Sequence, residues 1–169
     1  ELTEGLGAGS NPETGRKAAE ESIDKVKELL DANTKMLFIT AGMGGGTGTG
    51  AAPVIAEVAK EKDILTVGVV TIPFSTEGGN RHEYAMQGLK ELRKYVDTLL
   101  VINNDKLIEI YGNLTFTQAF AKANEVLNTA TKGIAEVISQ HLLVNIDLND
   151  ARRVLENSGT AVMGQPAAS

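Results

Sequence analysis

Three short apolar runs rich in β-branched residues, each followed by a helical pattern, constrain this chain more than anything else in it. Lys35–Thr40, Ile64–Ile72 and Thr98–Ile102 read as buried strands. Pro53–Lys60 and His82–Tyr95 repeat apolar residues at helical spacing between them, the second with Ala85, Leu89 and Leu92 on one face. Strands separated by helices of this length imply a parallel sheet with right-handed crossovers. The fold class is therefore α/β, a partial Rossmann-like sheet of three strands.

The flanks extend this pattern. Asn11-Pro12-Glu13 reads as a helix start, with Asn as cap and Pro in the first turn. Ala18, Ala19, Ile23, Val26, Leu29 and Leu30 then recur at helical spacing. A short helical piece at Lys106–Tyr111 precedes a long helix from about Thr117 to Gln140, with Phe120, Val126, Leu127, Ala130, Ile134 and Val137 among its apolar positions. Ala151–Glu156 starts another helix, and Thr160–Met163 reads as an isolated strand with nothing left to pair with. Both ends look cut, and Lys35–Thr40 is expected to leave an open sheet edge.

Glycine is where the composition departs from the ordinary. Of 18 glycines, several crowd into Ala41-Gly-Met-Gly-Gly-Gly-Thr-Gly-Thr-Gly50, between a strand and a helix. In an open parallel sheet, ligands bind at the carboxyl ends of the strands. Glycines there let backbone approach an anion and turn its N–H groups toward it, and the helix N-terminus adds its dipole. Thr47 and Thr49 add hydroxyls. No Gly-Lys-Ser/Thr follows, so a lysine does not cradle the phosphates. A dinucleotide fingerprint can be forced as Gly46-x-Gly48-x-x-Ala51, but the next strand ends Val70-Thr-Ile-Pro73 without the ribose-binding carboxylate. An oxidoreductase is disfavoured. Phosphate binding is the better reading of the loop.

Charge and residue types exclude other classes. Sixteen Lys+Arg against 22 Asp+Glu give a net charge of −6, a poor balance for a nucleic-acid binder. There is no Cys, hence no disulfide, thiolate zinc site or cysteine nucleophile. His82 and His141 are too few and too far apart to suggest a metal centre. No apolar run reaches bilayer-spanning length, so direct membrane insertion is not expected, and the N-terminal residues carry no secretory pattern.

Gly44-Gly-Gly-Thr-Gly-Thr-Gly50 resembles the signature loop of the tubulin/FtsZ GTPases. Phe38-Ile-Thr-Ala-Gly-Met43 and Ala51-Ala-Pro-Val-Ile55 resemble the bacterial cell-division branch of that family, and the similarity runs along essentially the whole chain. The resemblance implies a nucleotide site. It places Gly44, Gly45, Gly46, Thr47, Gly48 and Thr49 on the phosphates, and Gly7, Ala8 and Gly9 on a loop that senses the terminal phosphate. Glu77 and Arg81 would contact sugar and phosphates, and Asn104 the base or ribose. Phe120 would stack on guanine, with Asn124-Glu125 at its edge, where many relatives have Asn-Asp. On the residues alone, Glu77 and Arg81 are a surface pair, Asn103-Asn104-Asp105 is turn chemistry and Phe120 is core.

Asn145-x-Asp147-x-x-Asp150 matches the family's acidic loop, which enters the next subunit's nucleotide site and orients the attacking water. Unaided, Asp147 or Asn149 would cap the following helix, and the cluster is too sparse for calcium. Leu142 stands where the family usually has Gly. The implied activity is GTP hydrolysis to GDP and phosphate, aided by Mg²⁺, in a cytoplasmic, filament-forming protein of the division site. Subunits would associate head to tail, and membrane-tethering division proteins would engage segments absent from these residues. The implied division is 1–140 for the later part of the GTP-binding domain with its central helix. Residues 141–169 would then hold the catalytic loop, a helix and the first strand of a second domain. The alternative is an interaction fragment that caps or perturbs filaments without turnover of its own.

Overall fold

The computed structural model describes residues 4–145 and 160–163, the segments 141–145 and 160–163 as backbone only. In chain order the helices are α1 (Pro12–Glu21), α2 (Ile23–Leu29), α3 (Gly46–Glu61), α4 (Arg81–Arg93), α5 (Asn104–Tyr111) and α6 (Phe116–Asn145). The strands are β1 (Met36–Gly42), β2 (Leu65–Ile72), β3 (Thr98–Asn103) and β4 (Thr160–Met163), and a 3₁₀ turn occupies Ser75–Glu77.

The strands form one parallel sheet in the order β1-β2-β3-β4, with Met36 opposite Leu65, Val67 opposite Thr98 and Leu99 opposite Thr160. Alternation along each strand builds two cores. Val70, Leu99 and Val101 pack on one face with Ala52 and Ala56 of α3 and Ala85, Leu89 and Leu92 of α4. Val67, Val69, Leu100 and Ile102 face the other way, against Ala130 and Ile138 of α6. Both faces are covered, which is why these strands read as continuous apolar runs.

Three expectations need correction. Thr160–Met163 is not isolated: it pairs with β3, whose outer N–H and C=O groups would otherwise go unmatched. The first helical run breaks at Ser22, whose N–H bonds the carbonyls of Ala18 and Ala19 and so ends α1. And α3 starts inside the glycine loop, at Gly46 rather than near Pro53. Helical glycine costs about 1 kcal/mol per residue relative to alanine, yet here its lack of a side chain is what packing requires. A Cβ on Gly46 would sit 2.7 Å from Asn11 N, and one on Gly50 would lie 2.6 Å from Arg16 N. Tertiary packing of α3 on α1 outweighs local propensity. Among the described residues β1 pairs with β2 alone.

Candidate functional site

The glycine loop leaves β1 as Met43 donates its N–H to Thr71 O at 2.9 Å. Gly44 then takes a φ of +102°, open to glycine and strained for other residues. Its N–H donates to the buried Thr49 Oγ1 at 2.8 Å. A Cβ on Gly44 would lie 2.8 Å from the Arg81 carbonyl oxygen and 2.9 Å from Pro73 Cγ, so the loop touches both the β2–α4 connection and the start of α4. Gly45 is the N-cap of α3 and brings no side-chain cap, so the first amides of that helix keep their N–H groups for an incoming anion. Thr47 is exposed beside them, whereas Thr49 points inward.

The upstream loop lies against this one. Ala8 is buried, and its Cβ is 2.7 Å from where a Gly46 Cβ would be. Gly7 and Gly9 have positive φ, with open space at the missing Cβ positions. Asn11 accepts from Glu13 N at 3.0 Å and Pro12 takes the first turn of α1, as the sequence predicts.

At the ends of β2 and β3 the remaining candidates gather. Phe74 is 3% exposed and meets Phe120 edge-on, with centroids 5.3 Å apart. Phe120 in turn meets Phe116 at 4.7 Å. Glu77 is more than a surface partner for Arg81: Oε2 accepts from Phe74 N at 2.6 Å while Oε1 lies 3.6 Å from Arg81 Nη1. Asn104 is 4% exposed, and its Oδ1 is buried without a hydrogen-bond partner. Such an atom carries a desolvation cost of about 1–3 kcal/mol until a donor reaches it. Next to it, Asp105 accepts from Ser75 N at 2.9 Å and Ser75 Oγ at 3.3 Å.

On α6, Asn124 lies one turn beyond Phe120 and on the same face. Glu125 is turned about 140° from Phe120 around the helix and pairs with Lys122 at 3.2 Å. Asn145 is the last residue of α6 rather than part of a loop, and Asp147 and Asp150 lie outside the described residues. Phe74, Phe116 and Ser75 carry no individual reading in the sequence, and Asp105 is read there only as turn chemistry in the Asn-Asn-Asp run ending a strand. Among the described residues no group of three or more His, Cys, Asp or Glu could hold a metal ion, and no helix is long and apolar enough to cross a membrane.

Backbone donors at one helix N-terminus, a second glycine loop and an unpartnered buried acceptor thus share the carboxyl end of a parallel sheet. That is the layout of an α/β nucleotide-binding domain. The comparisons make it specific. Residues 1–112 match the model of the Tubulin/FtsZ family, GTPase domain, and the chain belongs to that family. It is 52% identical over 170 residues to the cell division protein FtsZ of Coxiella burnetii, covering 100% of this chain and 44% of that relative. An empty FtsZ dimer from M. jannaschii superposes with a TM-score of 0.86 at 49% identity, over 94% of this chain and 46% of that one. A GDP-bound CetZ1 monomer from Haloferax volcanii gives 0.62 at 31% identity, over 72% and 38%. The chain spans less than half the length of each.

Proposed function

We propose that the protein carrying this chain binds and hydrolyses GTP and assembles head to tail into a cytoskeletal filament that serves cell division in the cytoplasm. The observation that carries the reading is the orphaned Asn104 Oδ1 just after β3, at the same carboxyl end of the sheet as the signature loop. A ribose hydroxyl or a base N–H would satisfy it. The relatives support the rest: FtsZ of Coxiella burnetii is a cell division protein, FtsZ of M. jannaschii forms a dimer, and CetZ1 of Haloferax volcanii is a GDP-bound monomer.

In this reading the amides at the start of α3 take the phosphates, with Thr47 beside them. Gly44 does not donate, because Thr49 already holds its N–H. Glu77 and Arg81 hold sugar and phosphate, Phe120 stacks on the base and Asn124 reads its edge, with Glu125 adjacent. Gly7, Ala8 and Gly9 close over the terminal phosphate. Asp147 and Asp150, with Asn145, position the attacking water in the neighbouring subunit's site, so turnover depends on assembly. Mg²⁺ would supply charge neutralisation on the phosphates in such chemistry, held largely by the phosphates themselves and by water. Residues 1–140 and 141–169 are taken as parts of two domains, with β4 contributing to the first sheet.

Phosphate release and sedimentation of the complete gene product test this. GTP-dependent turnover should rise with protein concentration as filaments form. A product that pellets equally without nucleotide, or turns over GTP at a rate independent of concentration, refutes the assembly-completed site.

A further inference from the structure

One carboxylate at the start of α5 bonds directly to the β2–α4 connection. The Asp105 carboxylate accepts two hydrogen bonds from Ser75, at 2.9 Å from the backbone N–H and 3.3 Å from the hydroxyl. Asp105 is itself fixed: its N–H donates to Asn103 Oδ1 at 3.1 Å, and it stands in the first turn of α5, where a carboxylate is favoured by the helix dipole. Ser75 opens the 3₁₀ turn that ends at Glu77, and it follows Phe74, whose ring packs on Phe120. Asn104 directly precedes Asp105.

We propose that Asp105 is a positioning residue for nucleotide binding: through Ser75 it sets the spacing between Glu77 and Arg81 on one side and Asn104 and Phe120 on the other. The proposal rests on the guanine-nucleotide reading above. It adds a residue outside the assigned set that touches no nucleotide itself. Phe74 packs with Leu107 of α5 and Phe120 of α6 and its N–H bonds Glu77, so the turn stays folded without Asp105, while the Ser75–Asp105 bonds fix its polar start. Losing the clamp lets that polar start shift, changing the spacing of the sugar-contacting pair from the base-contacting pair. Charge-assisted bonds are the strong kind, and their loss at an exposed loop should weaken nucleoside binding about tenfold.

The test uses the complete gene product and a fluorescent N-methylanthraniloyl GDP titration. Asp105→Ala should weaken binding about tenfold, whereas Asp105→Asn, which keeps an acceptor oxygen, should stay within about threefold of wild type. Ser75→Pro removes the N–H and suits the first position of the turn, because Phe74 already has the extended φ −60°, ψ 142° that precedes proline. It should match Asp105→Ala, and the double variant should be no worse than either single one, since both remove the same interaction. At saturating GTP, kcat should hold within about twofold while KM rises, as expected for lost uniform binding. Amide exchange at Ser75 gives a readout independent of nucleotide: slow in wild type and Asp105→Asn, fast in Asp105→Ala. Wild-type binding by both Asp105→Ala and Ser75→Pro, or additive losses in the double variant, overturns the clamp and leaves the GTP reading standing. Wild-type protein that binds no guanine nucleotide overturns both, whatever the exchange data show.

Discussion

Gly15→Ala puts the packing of α1 on the glycine loop to a quantitative test. Gly15 is a buried residue of α1, and the Cβ that alanine brings would strike the Gly46 carbonyl oxygen, 2.8 Å from its carbon and 3.1 Å from Thr47 Cα. Those atoms are backbone at the start of α3, so no side chain can rotate to make room. Two effects oppose each other. Alanine gains about 1 kcal/mol of helix propensity over glycine, and overpacking a tight site costs about 1–3 kcal/mol, toward the top of that range when backbone must shift. Sterics should win, leaving a net loss of about 2 kcal/mol. Gly133→Ala is the matched control. Gly133 lies exposed on α6 with nothing within 4 Å of its missing Cβ, so the same substitution should stabilise by up to about 1 kcal/mol. Urea unfolding of both variants reads the difference: with a slope of about 2 kcal/mol/M, Gly15→Ala lowers the midpoint by about 1 M and Gly133→Ala raises it. Weaker nucleotide binding should accompany the first change, because the amides proposed to take the phosphates move with Gly46. If Gly15→Ala stabilises as much as Gly133→Ala, α1 does not pack on the loop as described.

Other substitutions probe the site separately. Thr49→Val keeps shape but leaves the buried Gly44 N–H without its acceptor, and should cost about 1–3 kcal/mol in denaturant unfolding; Thr49→Ser should recover most of it. Phe74→Ala removes a ring that is 3% exposed and supports Phe120, so a loss of about 3–5 kcal/mol is expected, with base-dependent binding falling alongside. Asp150→Ala should leave nucleotide affinity near normal while removing most GTP turnover, measured by phosphate release; lost affinity with intact turnover would contradict its assigned role.

Much of the architecture could be read along the chain, because strand and helix periodicities are local properties. Val67–Val70 and Leu99–Ile102 had to be strands buried on both faces, and Asn11-Pro12 had to begin a helix. The start of α3 could not be read that way: glycine's poor helix propensity hides a helix that exists because α1 needs glycines beside it. Of the site, the signature loop was visible as a motif. Asp105 and Phe74 contact residues distant in sequence, Ser75 and Phe120, so those contacts emerged only with the fold.

The sequence by itself determined the class, the family and the strand ends where a nucleotide would sit, since each follows from short-range pattern or contiguous motif. Tertiary structure decided which groups remain free to bind. It withdrew the Gly44 N–H into a bond with Thr49, tucked Glu77 against Phe74 and left Asn104 Oδ1 without a partner. Hydrogen-bond partners are chosen by proximity in space. No reading along one dimension can assign them.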